Sequence, residues 1–165
     1  MNYSGFSKVD MENGEGVRVS LFVSGCPFNC VGCFNQVAKS PEAGLPFDGE
    51  MKKTLIEALD HEYIAGLSLL GGDPMFEHNR EEVLRLCEEV KFLFPHQTIW
   101  LWTGYTYEEV KELFPQILTV IDVMVDGRFD IAKRDKRLKW RGSSNQNVIN
   151  VPASLEKGEI ILYSE

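Results

Sequence analysis

No stretch of this 165-residue chain approaches the ~20 consecutive apolar residues of a membrane-spanning helix, which excludes a transmembrane reading. The first residues, MNYSGFSKVDMENGEG, lack the basic segment and the apolar core of a signal peptide, so the expected compartment is the cytoplasm. Positive charge is short: 17 Lys and Arg stand against 25 Asp and Glu, and a net charge of −8 argues against a partner held through a phosphate backbone. The basic run Lys133-Arg134-Asp135-Lys136-Arg137 reads as a solvated loop or helix face. Histidine is scarce, and His61, His78 and His96 lack the spacing of a ligand pair. Gly and Pro make up 21 of 165 residues, which gives no sign of disorder, and there is neither an internal repeat nor a linker. What remains is a soluble chain of one-domain length, able to bury roughly 70% of its unfolded surface.

Strand and helix signals alternate along it. Val17 to Val23 (VRVSLFV) predicts a buried strand that stops at Ser24-Gly25. Asp48 caps a predicted helix through about Asp60, with Met51, Leu55 and Leu59 on one face. Gly66 to Leu70 is a second strand, ending in Gly71-Gly72-Asp73-Pro74. Asn79 precedes a helix with Val83, Leu86, Cys87, Val90 and Phe94 on its apolar face, and Pro95 stops it. Thr98 to Thr103 is a third strand, and Thr106-Tyr107-Glu108-Glu109 fits a capping box for a helix that Pro115 ends. Thr119 to Val125 is a fourth strand, closed by Asp126-Gly127. Beyond about residue 130 no period is clear, apart from a candidate edge strand at Glu159 to Tyr163. Alternation of this kind implies βαβ units, hence an α/β fold whose mostly parallel sheet is covered by helices. Ligands gather beyond the carboxyl ends of such strands. There the four strands deliver a cysteine loop, GGDP, TGY and DGR to one rim.

Three of the four cysteines fall within eight positions of SGCPFNCVGCFNQ, as C-x3-C-x2-C. Under cytoplasmic reducing conditions such thiols are metal or redox ligands rather than disulfide partners. Thiolates suit zinc and iron-sulfur clusters. A closed zinc site needs a fourth ligand, and Cys87, on an apolar helix face, reads as core filler. Cys26, Cys30 and Cys33 match a four-iron cubane better, since three thiolates hold three irons and leave one open to a substrate. A zinc- or cluster-bearing binding module without turnover is the competing reading of a different class.

The cysteine pattern, placed after the first strand of a parallel α/β domain, resembles the signature of the radical S-adenosylmethionine (SAM) superfamily. That resemblance implies a 4Fe-4S cluster whose open iron is chelated by SAM, and reductive SAM cleavage to a 5'-deoxyadenosyl radical. Gly71-Gly72-Asp73 also reads as an ordinary turn. In this context it is similar to the superfamily motif that meets SAM's amino group through backbone oxygens and a carboxylate. Thr103-Gly104-Tyr105 is implied near the ribose or sulfonium, or is simply a strand-to-helix turn. Many members carry an aromatic residue before the third cysteine, whereas this chain has Gly32; Phe34 or the main chain around Gly32 and Cys33 is then the adenine surface.

A closer resemblance spans most of the chain. MNYSGF, NGEGVRVSLFVSGC, CxGCFN, GGDP, WLWTGY, DVMVDGRFD and especially WRGSSNQ are similar, in the same order, to the activating proteins of anaerobic (class III) ribonucleotide reductases. The resemblance implies a truncated (β/α) partial barrel, a single radical SAM domain over 1–165, and a protein substrate: a glycine of the reductase's large subunit. It further implies an electron donor such as a flavodoxin, with no nucleic-acid or membrane partner. Asp126, Arg128, Arg141 and the turn Gly142-Ser143-Ser144-Asn145 are expected at the docking face or SAM pocket, or else as a turn and a surface ion pair. Trp100, Trp102 and Trp140 are expected in packing. Activation of another glycyl-radical enzyme, or radical chemistry on a metabolite, are the alternatives within the same chemistry.

Overall fold

From the amino end the chain forms β1 (Asn2–Asp10), β2 (Arg18–Val23), β3 (Leu45–Pro46), α1 (Gly49–Leu59), β4 (Gly66–Gly71), α2 (Arg80–Leu93), β5 (Thr98–Trp102), α3 (Tyr107–Leu113), β6 (Val123–Asp126), β7 (Asn147–Asn150) and α4 (Val151–Lys157). The structure, a computed structural model, describes residues 1–33 and 36–164. Its described strands make one seven-stranded sheet in the order β3-β1-β2-β4-β5-β6-β7. The four expected strands are its parallel centre, with Arg18 level with Gly66, Gly66 with Thr98, and Trp100 with Val123. β1, β3 and β7 are antiparallel additions at the two edges.

Helix ends follow their sequence signals. The Asp48 carboxylate accepts from the Met51 N–H to start α1, and Thr106 with Glu109 completes the capping box of α3. Two expectations need correction. The fourth strand begins at Val123, not Thr119, because Pro115 opens a 3-10 turn through Thr119 that tucks Ile117 and Leu118 into the core. At Glu159 to Tyr163 only a single bridge forms, Ile149 to Leu162, because β7 has already taken the place beside β6. The helix α4 was not foreseen; Asn150 caps it, Pro152 lies in its first turn and Gly158 at φ 73° ends it.

One face of the sheet carries Val19, Leu21, Val23, Leu67, Leu69, Ile99, Leu101 and Met124, which pack with Leu55, Leu59, Val83, Leu86, Cys87 and Val110 of the helices. The opposite face carries Arg18, Ser20, Phe22, Ser68, Leu70, Trp100 and Trp102. Trp100 stacks 5.9 Å from Trp102 and meets Trp140 and Tyr163 edge-on at 4.8 and 5.0 Å. The tryptophans therefore pack, as expected. No described helix is long and apolar enough to cross a membrane.

At the amino ends of the parallel strands Arg18 is wholly buried. Its guanidinium donates to Ser68 Oγ, Thr98 Oγ1 and the carbonyls of Glu15, Leu67 and Thr98, and lies 5.5 Å from the Trp100 ring centre. Those five bonds match the five N–H groups of the fork, and they pin β2, β4 and β5 together at the end remote from the cysteines. Replacing it by methionine strands several buried acceptors. Arg18→Met should lower the urea unfolding free energy by about 3 kcal/mol, with Arg18→Lys recovering only part of the loss; a methionine variant as stable as the parent would contradict this role.

Candidate functional site

Because β2, β4, β5 and β6 are parallel and adjacent, their carboxyl ends open on one rim in the order of the strands. β2 runs into Ser24-Gly25-Cys26, β4 into Gly72-Asp73, β5 into Thr103-Gly104-Tyr105 and β6 into Gly127-Arg128. Neighbouring loops are then tied by hydrogen bonds. Gly72 N–H donates to Val23 O at 2.7 Å and Asp73 N–H to Gly25 O at 2.8 Å. Gly71 makes the first of these turns at φ 107°, and a Cβ there would lie 2.6 Å from Val23 N. Asn79 donates from one amide nitrogen to Ser24 O and Asp73 O, fastening the start of α2 beneath the same two loops.

Asp73 is the hub. Oδ1 accepts from Thr103 Oγ1 at 2.8 Å and Met75 N–H at 2.9 Å, and Oδ2 from Gly104 N–H at 2.9 Å. The residue is 1% exposed, and burial pushes its carboxyl up to about 6 against the pull of the three donors. Asp126 is similarly occupied: Oδ2 accepts from Tyr107 N–H and Oδ1 from Asn147 N–H, joining α3 and β7 to the end of β6.

The cysteine loop lies over this rim. Cys26, Cys30 and Cys33 are free and half-buried, while Cys87 is fully buried in the helix-side core. Burial pushes the Cys26 thiol up to about 11 and the Cys87 thiol further still. Among the described residues no three His, Cys, Asp or Glu side chains converge as ligands of one metal ion would. The donor set itself, three reduced thiols within eight residues at a ligand-gathering rim, has the chemistry of an iron-sulfur site. Phe34 lies outside the described residues.

Sequence reasoning missed Phe28. Its ring lies 4.9 Å from that of Tyr105 and 4.3 Å under the Arg128 guanidinium, which also reaches Glu109 at 3.5 Å. Any Cβ on Gly104 would lie 2.6 Å from this ring. Spacing offered no signal for it, since the seat is made by residues about 75 and 100 positions away in the chain. Arg141, expected at a pocket or docking face, donates to the carbonyls of Ser144 and Gln146 within its own turn. Clefts of about 330 Å³ between α1 and α2, and about 430 Å³ beside Trp140 and Tyr163, are lined by none of the cysteines.

Comparison with known proteins agrees with this geometry. A family described as a 4Fe-4S single cluster domain matches residues 12–149. The chain is 43% identical over 148 residues to the anaerobic ribonucleoside-triphosphate reductase-activating protein of Enterobacteria phage T4, covering 90% of this chain and 93% of that one. It belongs to that family of activating proteins. Other members are as similar: the Pasteurella multocida protein is 45% identical over 150 residues (88% of this chain, 95% of that one), and the Escherichia coli K12 protein 41% over 150 (90% and 97%). Family membership brings an iron-sulfur cluster with it, and the donor set fits one.

A carboxyl group whose pKa rises on folding holds its proton more tightly in the native state. Asp73 should therefore make the metal-free chain lose stability as pH climbs from about 4 to about 6, by up to about 3 kcal/mol, and change nothing above. In urea titrations the difference between the parent and Asp73→Asn should carry that slope; a difference that is flat across this window contradicts it.

Proposed function

We propose that this chain activates an anaerobic ribonucleotide reductase by radical SAM chemistry, with Cys26, Cys30 and Cys33 as ligands of a 4Fe-4S cluster. The observation that carries the reading is the meeting of three half-buried thiols with the GGDP and TGY loops on one rim of a parallel sheet. Relatives named as activators of the anaerobic reductase support the choice of target. When bound, the reduced cluster and SAM supply a 5'-deoxyadenosyl radical that takes a hydrogen atom from a glycine of the reductase's large subunit.

The chain's own residues bind and orient. Cys26, Cys30 and Cys33 would hold the cluster, and Cys87, fully buried in the helix-side core, is not available as a fourth ligand. Gly71 and Gly72 bring main chain close to the rim, and Asp73 holds that loop against Thr103 and Gly104, so the two loops face SAM as one surface. The main chain around Gly32 and Cys33, or else Phe34, serves as the adenine surface. In this reading residues 1–165 form one domain, a truncated partial barrel whose open side admits a polypeptide. An electron donor such as a flavodoxin serves it in the cytoplasm, where thiols stay reduced.

Anaerobic loading with iron and sulfide should give a brown protein with about four irons per chain that forms 5'-deoxyadenosine from SAM once reduced. Cys26→Ala, Cys30→Ala and Cys33→Ala should each abolish that product, and Cys87→Ala should retain it. Mixed with the reductase, the loaded chain should generate a carbon-centred doublet in electron spin resonance only with SAM and reductant together. A colourless zinc-loaded chain, or metabolite turnover without a protein radical, would overturn the reading.

A further inference from the structure

The cysteine loop has two intervals, and the segment after β6 touches both. Between Cys26 and Cys30, Phe28 lies under Arg128. Between Cys30 and Cys33, Gly32 at φ 78° faces Ile131 and Phe129, with a Cβ there only 2.5 Å from Ile131 Cδ1. Residues 127–131 thus form a bar laid along the loop. On its other side Gly127, Arg128, Phe129 and Asp130 are each met by a residue of WRGSSNQ.

Gln146 donates to Gly127 O at 2.9 Å while its Oε1 accepts from the N–H groups of Gly142 and Ser143. Asn145 donates to Arg128 O at 2.8 Å, and Ser143 Oγ, itself fully buried, accepts from Asp130 N–H at 3.1 Å. Gly142 lets the Phe129 ring approach to 3.0 Å of where its Cβ would be. Gln146, Asn145 and Ser143 thus each spend a polar group on the bar, while Arg141 closes the turn on itself. A docking face would present them outward.

We propose that the WRGSSNQ turn, acting through residues 127–131, positions the cysteine loop for its cluster, with Phe28 and Gly32 as the two points of grip. Gln146, Asn145, Ser143 and the ring of Phe28 are positioning groups that set how far the three thiols wander; the Phe28 main chain also meets the Cys26 thiol directly. The proposal rests on the cysteine loop being the cluster loop, but its first test does not. A loop held by a few hydrogen bonds and one ring opens locally when a grip is removed, without global unfolding.

The test is hydrogen exchange on the metal-free chain, read by mass spectrometry over residues 24–33 with β4 as internal reference. Gln146→Ala and Phe28→Ala should each speed exchange in 24–33 by about tenfold and leave β4 unchanged, and the double variant should add little to either. Phe28→Tyr, which keeps the ring, should restore the parent rate. If β4 accelerates as well, the fold has suffered, and Asn145→Ala with Phe28→Leu decide by the same criterion. After iron and sulfide loading, the accelerated variants should release iron to a chelator faster and show an altered electron spin resonance signal with SAM, while binding the reductase as the parent does. Unchanged exchange in 24–33, or normal iron retention with lost reductase binding, overturns the proposal and makes the turn a docking face.

Discussion

The Asp73 carboxylate is buried at some electrostatic cost, and two of the three hydrogen bonds it accepts come from the loop of the next strand. Parallel pairing brings strand ends side by side but stops at the last ladder bond, so loops beyond it keep no fixed distance unless something joins them. Asp73 joins them. Its N–H reaches back to Gly25, one residue before the first cysteine, and its oxygens reach forward to Thr103 and Gly104, where Phe28 finds its seat. The GGDP loop is thus tied to the start of the cysteine loop through main chain and to the next loop through the Asp73 side chain. This assigns the acid of the motif a structural duty alongside any contact with a ligand.

The parallel centre was legible because its strands are largely buried on both faces and so read as short runs dominated by apolar and β-branched residues. TIWLW carries that signal strongly, and VRVSLFV carries it despite Arg18 and Ser20. β1 and β7 were not legible. NYSGFSKVD is half-exposed and interrupted, and NVIN is four residues long, so neither offers a periodic pattern to read. The run TVIDVMV misled for a different reason: Thr119 closes a 3-10 turn, Val120 to Asp122 connect it to the strand with Ile121 buried, and burial alone does not distinguish strand from connection. In α4 the Asn, Pro and Gly punctuation was present, but a seven-residue helix has too few apolar positions to show a face.

At the site, the cysteines and GGDP stood out through spacing and glycine content, which are local properties of sequence. Phe28 and Asn79 did not, nor did Arg18 at the opposite end of the strands, although each ties together elements far apart in the chain. A phenylalanine in a loop and an arginine in an apolar strand carry no mark of their partners. WRGSSNQ was visible as a motif but not as a clasp, because its roles depend on carbonyls of the DGRFD segment that any sequence would supply.

The two margins of the sheet are finished differently. On one side the tail lies against β7, with Asn150 and Ile161, and Tyr163 and Val148, joined through their backbones. On the other, β1 is covered by β3 only at Asn2 and Tyr3, yet its pairing with β2 slips register twice and it carries Lys8 outward. Irregular, charged margins are poor templates for another chain's backbone. Edge-to-edge pairing of one copy with another, the route by which sheets stack into fibres, is thereby disfavoured along this margin.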